Sequence, residues 1–314
     1  MKAIVIEQFG GVEMLQLKEV LKPEPQHGEI LVKVKAAGVN PVDFKIRKGL
    51  LQTRMPHEFP IILGWDLAGI VEEVGEEVHE FKKGDAVYGY ARKEMIRDGS
   101  YAEYLVLEPK HLAIKPKNIS FEEAAAIPLA ALTAYQSLFE SLKLKEAEVI
   151  LIHAGAGGVG SFAIQMAKNV GAKVITTASA SKHSYLKKLG TDHCIDYQNQ
   201  SFVEEVLRLY PLGVDAVFDT MGGEIQRQSV EVLKRGGRLT SILALEESVL
   251  AHPEIQSGYV FVRPEELQLD LICEMIEEKK MKVHVSEVFP LAQAAKAHQR
   301  IESGHVTGKL VLKI

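Results

Sequence analysis

The feature that most restricts how this chain can fold is the stretch Ala154-Gly155-Ala156-Gly157-Gly158-Val159-Gly160. It comes after the apolar run Val149-Ile150-Leu151-Ile152 and precedes residues 159–170, whose apolar side chains recur at helical spacing. A strand that turns into a helix across Gly-x-Gly-x-x-Gly is built for an anion. Glycine permits the tight turn, lets the backbone approach a pyrophosphate and lets helix and strand pack closely, while the helix N-terminus offers free N–H groups. Gly155, Gly157, Gly158, Val159 and Gly160 are therefore candidate cofactor-binding positions.

Beyond the loop the same alternation repeats. Strand patterns at 173–177, 193–196, 214–219 and 238–242 alternate with helical patterns at 181–189, 202–209 and 224–233. Apolar strands separated by amphipathic helices predict a doubly wound parallel sheet covered on both faces, an α/β Rossmann arrangement. Upstream, residues 1–117 have period two, clearest where Ile30, Val32 and Val34 point one way, and Pro and Gly punctuate them repeatedly. That pattern predicts an irregular antiparallel β domain. Ser120-Phe121-Glu122-Glu123 fits a capping box and predicts a helix start; Pro128 divides that helix from a second one over 129–142. The tail from 263 predicts one long helix and a final strand returning to the first domain. The expected division is 1–118, 119–262 and 263–314.

Composition narrows the partners. With 46% hydrophobic and 25% charged residues the 314-residue chain can bury two cores, and a net charge of -5 with no Lys/Arg cluster argues against nucleic acid as the main partner. No 18-residue apolar run and no leader-like amino terminus occur, so no membrane partner and a cytoplasmic setting are expected. Cys194 and Cys273 read as reduced thiols.

The nucleotide is read from the end of the second parallel strand. An NAD site of this kind usually carries an Asp or Glu there; this chain has Val174-Ile175-Thr176-Thr177-Ala178-Ser179 and then Lys182. A hydroxyl and a cation suit the 2'-phosphate of NADPH, the competing reading of Lys182 being a solvated lysine at a helix start.

Together with the loop, the segments Ala36-Ala37-Gly38-Val39-Asn40-Pro41-Val42-Asp43, Gly64-Trp65-Asp66-Leu67-Ala68-Gly69, Gly84-Asp85-Ala86-Val87-Tyr88-Gly89, Gly99-Ser100-Tyr101-Ala102-Glu103-Tyr104, Ala130-Ala131-Leu132-Thr133-Ala134-Tyr135 and Gly304-His305-Val306-Thr307-Gly308-Lys309 carry a resemblance over nearly the whole chain. It resembles the medium-chain dehydrogenase/reductase superfamily, in its zinc-free quinone oxidoreductase (zeta-crystallin-like) branch. The resemblance implies a GroES-like first domain and a homodimer joined through Gly258-Tyr259-Val260-Phe261-Val262. It also implies Tyr197 beside Ser179 and Lys182 at the 2'-phosphate, His305, Val306 and Thr307 closing over the cofactor, and Phe261 beside the nicotinamide. For Phe261 and His305 a sheet-edge aromatic and a loop histidine stay open.

Zinc-dependent relatives have a Cys at the place of Asn40 and Gly-His-Glu at the place of Gly64-Trp65-Asp66; this chain departs at both, so no metal is expected. Without a Lewis acid, alcohol oxidation is hard, whereas a quinone or conjugated enone is already electron-poor. Asn40-Pro41-Val42-Asp43-Phe44-Lys45 resembles the alkenal and enone reductases, while many quinone reductases have tyrosines at the places of Lys45 and Leu51. The expected acceptor is thus an electrophilic small molecule, an enone or enal ahead of a quinone. Lys45 is the candidate for meeting negative charge on the carbonyl oxygen, held by Asp43, and Asn40 and Thr133 orient nicotinamide or substrate. A plain surface lysine is the alternative for Lys45, and an NADPH-binding sensor or scaffold with little catalysis is the alternative for the protein.

Overall fold

The computed structural model describes all residues 1–314 and divides into two compact units, Met1–Leu132 with Arg263–Ile314, and Thr133–Val262. In chain order the first unit begins with β1 (Lys2–Ile6), β2 (Gln16–Glu19), β3 (Ile30–Val39), α1 (Pro41–Arg47), β4 (Ile61–Ile62), β5 (Asp66–Val74), β6 (Ala86–Tyr90), β7 (Tyr104–Leu107), β8 (Leu112–Ile114) and α2 (Phe121–Ala125). The period-two pattern has its consequence in β3: Ile30, Val32 and Val34 are buried against Leu67, Val71 and Val87 of the neighbouring strands, while Lys33 is exposed. The capping box forms as its residues dictate. Ser120 Oγ accepts from Glu123 N at 3.1 Å, and Glu123 Oε2 accepts from Ser120 N at 2.8 Å. The helix it starts, α2, packs on β3 and β5, so the compact unit extends past 118 to Leu132.

Next comes α3 (Pro128–Tyr135), which widens into a π turn over Gln136–Ser141 in place of the continuous helix expected over 129–142. That turn is tied to the second unit's sheet, where Ser141 Oγ lies 2.6 Å from Thr240 Oγ1. The second unit then alternates: β9 (Val149–Ile152), α4 (Gly158–Asn169), β10 (Lys173–Ala178), α5 (His183–Lys188), β11 (His193–Asp196), α6 (Phe202–Leu209), β12 (Val214–Asp219), α7 (Gly223–Ser229), β13 (Leu233–Ser241), α8 (Glu247–Leu250) and β14 (Gln256–Tyr259). All six strands are parallel, in the order β11-β10-β9-β12-β13-β14. That is the 3-2-1-4-5-6 order of a dinucleotide-binding sheet, and its reversal point lies between β9 and β12. Leu151, Ile175, Val206, Val217 and Leu239 form its core.

The tail differs from the single long helix expected. It contains α9 (Glu266–Glu277), β15 (Val285–Pro290), α10 (Ala294–Glu302) and β16 (Lys309–Lys313). Lys279 takes a left-handed conformation, φ 61°, which ends α9 and frees the chain to form β15 beside β16. In turn β16 runs antiparallel to β3, with Leu310 opposite Val39, completing the sheet β15-β16-β3-β5-β6-β8.

Candidate active site

In the second unit the glycine loop leaves the carboxyl end of β9 at the reversal point of the sheet. Two of its glycines are demanded by neighbours: a Cβ on Gly155 would lie 2.0 Å from Thr176 Oγ1, and one on Gly160 would lie 2.5 Å from the Ala154 carbonyl. Gly157 is different, since a Cβ there meets only the Ala154 carbonyl, at 3.3 Å. It is the N-cap of α4 and supplies no side-chain cap, so the first N–H groups of that helix are left for an incoming anion. Gly158, Val159 and Gly160 are the residues that carry them.

Behind the loop lies a buried polar chain that sequence reasoning missed. Ser229 Oγ donates to the Ile225 carbonyl at 2.6 Å, so it accepts from His153 Nε2 at 2.9 Å. His153 Nδ1 then accepts from Thr177 Oγ1 at 3.1 Å, and Thr177 Oγ1 accepts from Ala154 N at 3.2 Å. Every donor has an acceptor only if His153 is neutral and protonated at Nε2. Burial agrees, pushing the imidazole down to about 4. Asp219, at the end of β12, was also missed. Its carboxylate accepts from Met221 N, Gly222 N, Gln226 Nε2 and Ser241 Oγ at 2.9, 3.0, 2.9 and 2.6 Å, fixing the turn beside the loop.

Ser179 follows β10, and Tyr197 follows β11; because Ala178 pairs with Asp196, the two emerge side by side. Lys182 closes the short 3-10 turn Ala180–Lys182, and Ser179 Oγ lies 3.2 Å from Ser181 Oγ. Tyr197 is 54% exposed. The nearest carboxylate, Asp196, is engaged by Asn199 Nδ2 at 2.6 Å and Gln198 N at 3.3 Å, which leaves hydroxyls and an ammonium as the groups displayed. Thr133 is buried on α3, and Phe261 stands two residues beyond β14, 37% exposed.

The first unit holds Asn40, Lys45 and the stretch His305 to Thr307. Asn40 comes directly after β3 and is 1% exposed. Its Nδ2 donates to Asp66 Oδ2 at 2.8 Å, its Oδ1 accepts from Lys309 Nζ, and its backbone N donates to Asp43 Oδ2 at 2.8 Å. Lys309 also donates to the Val39 carbonyl at 3.2 Å and lies 3.6 Å from Asp66 Oδ2. Burial lowers the Lys309 ammonium, opposed by Asp66 and Asp43, and raises the Asp66 carboxyl, opposed by Lys309 and Asn40. Two carboxylates thus share one cation. Asp43 yields: burial pushes it up to about 7, and its Oδ1 has no partner, while Oδ2 accepts from Tyr101 Oη at 3.0 Å.

The expected Asp43–Lys45 tie is not formed. Both lie on α1, two residues apart, where side chains do not face each other, and Asp43 is occupied by Asn40 and Tyr101. Lys45 is half-buried, which lowers its ammonium below the usual lysine range. In the loop before β16, His305 is exposed, Val306 is half-buried, and the Thr307 hydroxyl is buried without a partner. Lys309 carried no signal of its cluster beyond its place in the Gly304 to Lys309 motif, since its partner Asn40 lies 269 positions upstream.

Residues 26–117 match the model of the alcohol dehydrogenase GroES-like domain, and residues 189–312 match that of a zinc-binding dehydrogenase. The residues present do not fit zinc: no three His, Cys, Asp or Glu side chains group to hold a metal, and the Lys309 ammonium lies against the hydrogen-bonded pair Asn40 and Asp66, where it repels a dication. Among curated relatives, the chloroplastic NADPH-dependent alkenal/one oxidoreductase of Arabidopsis thaliana is 38% identical over 323 residues, 99% of this chain and 79% of the relative. Among solved structures, the quinone oxidoreductase from Coxiella burnetii is 37% identical with a TM-score of 0.90, covering 100% of this chain and 99% of the other. Escherichia coli quinone oxidoreductase complexed with NADPH is 31% identical with a TM-score of 0.89, each chain covered in full. With the six-stranded parallel sheet, the glycine loop and this likeness along its whole length, the chain belongs to the quinone oxidoreductase and alkenal/one oxidoreductase family of medium-chain dehydrogenase/reductases.

Proposed function

We propose that this protein is an NADPH-dependent, zinc-independent oxidoreductase that reduces the activated C=C bond of an α,β-unsaturated ketone or aldehyde. The observation that carries the reading is the display at the adjacent ends of β10 and β11: Ser179, Lys182 and Tyr197, with the Asp196 carboxylate turned to other donors, beside an uncapped glycine loop. A 2'-phosphate is the group that such a set recognises, and the pyrophosphate suits Gly155, Gly157, Gly158, Val159 and Gly160. When bound, NADPH supplies the hydride.

The remaining work falls to side chains of this chain. Hydride addition at the β-carbon leaves negative charge on the carbonyl oxygen, and a half-buried ammonium on Lys45 stabilises it more than a solvated one would. Asn40 and Thr133, both buried, orient the reacting partners, and the α-carbon takes its proton from water. Thr307, with its orphaned hydroxyl, closes over the cofactor with His305 and Val306, and Phe261 lies against the nicotinamide. Reduction of a quinone is the second reading, favoured by the likeness to two quinone oxidoreductases.

A homodimer through β14 is part of the proposal, because β14 is an edge strand with one side unpaired; light scattering at twice the 34.7 kDa chain mass is the expected result. The cytoplasm is the proposed compartment, consistent with two free cysteines, and fractionation tests it. No helix is long and apolar enough to cross a membrane. The decisive experiment is NADPH oxidation against a panel of enones, enals and quinones, in which enones turn over fastest; no turnover with any acceptor removes the reading. Lys182→Ala should weaken NADPH by about 10- to 100-fold and NADH little, the loss of one charge-assisted contact. Equal losses with both nucleotides remove the phosphate assignment.

A further inference from the structure

We infer that Lys309 is a positioning residue, whose ammonium fixes which way the Asn40 amide faces and so what Asn40 can offer to a bound molecule. The inference rests on the proposed function for the statement that Asn40 meets the reacting partners, and on geometry for the rest. Leu310 pairs with Val39, so the first residue of β16 lies opposite the last stretch of chain before α1. Lys309 is 5% exposed there.

An amide side chain has two ends of nearly equal shape, and only its partners decide which is which. An ammonium only donates, so the end it meets is Oδ1; an ionised carboxylate only accepts, so the end that Asp66 meets is Nδ2. The two constraints agree, and reversing the amide would set an N–H against an ammonium and an oxygen against a carboxylate. Asp66 is itself held, since its Oδ1 accepts from Leu129 N at 2.7 Å. Two of the three Lys309 donors go to the Val39 carbonyl and Asn40 Oδ1, and the ammonium lies 3.6 Å from Asp66 Oδ2. Asn40 keeps one Nδ2 N–H beyond the one given to Asp66, facing in a fixed sense.

A lysine that merely balanced buried carboxylates would produce the same contacts, so the test must separate balance from orientation. Lys309→Met alone leaves Asp66 buried without its cation and is expected to fold poorly. The double variant Lys309→Met, Asp66→Asn removes both charges together. Its unfolding temperature should recover most of what the single variant loses, while turnover with the best acceptor of the wild-type protein stays at least about 10-fold down with KM for NADPH near the wild-type value. In parallel, the ¹⁵N side-chain resonance of Asn40, assigned by its loss in Asn40→Asp, should be single and sharp in the wild-type protein and broadened or doubled in the double variant, where neither neighbour dictates a direction. Recovery of turnover together with stability would reduce Lys309 to a counter-charge and overturn the inference. So would an unchanged Asn40 resonance. If the wild-type protein turns over no acceptor, the functional reading falls and the catalytic half of this inference falls with it, while the resonance still decides the orientation.

Discussion

The two units bury polar groups beside their candidate site residues in opposite ways. The first gathers charge: Asp43, Asp66 and Lys309 lie together with almost no solvent, and their number does not balance. The second avoids charge where it can: His153 is neutral between Thr177 and Ser229, and its one deeply buried carboxylate, Asp219, is surrounded by donors. Burial is tolerated in both because the polar groups are answered, by a counter-ion in one and by hydrogen bonds in the other. The difference teaches where each unit can be moved. A ring of donors is disturbed by taking away the acceptor they share, while an imbalanced charge cluster holds a proton that solvent pH can remove.

The sharpest way to break the contrast is to remove the acceptor on which the second unit depends. Asp219→Ala would leave Met221 N, Gly222 N, Gln226 Nε2 and Ser241 Oγ without their acceptor, and at about 1 to 1.5 kcal/mol for each buried donor the loss should approach about 5 kcal/mol. Denaturant unfolding followed by far-ultraviolet circular dichroism measures it; a loss below about 2 kcal/mol would mean that water replaces the carboxylate.

Proton linkage comes next: the first unit carries both signs, while His153 gives the second the acid-sensitive one. Asp43 titrates at about 7 in the folded chain and near 4 when unfolded, so between those values the folded state binds more protons and stability falls as pH rises. The span corresponds to about 4 kcal/mol, and Asp43→Asn should abolish it. His298 works against it within the same unit: burial and Arg47 hold its imidazole down to about 3, so acid weakens the fold below about pH 6.5. Asp43→Asn should therefore shift the pH dependence toward acid sensitivity, and stability curves from pH 4 to 8 that keep their shape would refute the assignment of the proton to Asp43.

In the second unit only the acid-sensitive sign operates through His153. Its folded value of about 4 against an unfolded one near 6.5 means that stability is complete above 6.5 and declines by about 3 kcal/mol as pH falls toward 4. His153→Leu should be less stable at pH 7, having lost two hydrogen bonds, yet flatter with pH. The same variant frees Thr177 from one partner, and weaker NADPH binding by fluorescence titration would tie the buried chain to the loop that it braces through Ala154.

Legibility in the sequence tracks the range of each interaction. The parallel sheet was legible because apolar runs such as Val149 to Ile152 and the residues after them set local structure by themselves, and the β3 face was legible because Ile30, Val32 and Val34 alternate. The glycines of the loop answer near neighbours, as Gly155 answers Thr176, so local spacing was enough to find them. Lys309 and Asn40 meet only because β16 crosses to β3, and nothing near either residue announces it. His153 resembles the polar end of an apolar strand until Ser229 is brought to its ring. The tail misled for a local reason: Val285 to Pro290 is a short strand between two helices, and amphipathic spacing on either side hides it.

The smallest effect tests a device that both units use at different strength. Ser120 caps α2 with the reciprocal bond from Glu123, whereas Ser201 caps α6 alone, accepting from Glu204 N at 3.3 Å. A helix of five residues such as α2 cannot sustain itself by propensity, so its ends and its packing on β3 and β5 must hold it. Ser120→Ala should cost about 1 kcal/mol, a shift of about 3 °C in melting temperature. Glu123 Oε2 still meets the backbone N–H at position 120 in that variant, but each bond of the box is held in place by the other, so Ser120→Ala with Glu123→Ala should cost less than the sum of the two single changes, and the shortfall measures the coupling of the box. Additive losses would mean that packing, and not the cap, sets where α2 begins.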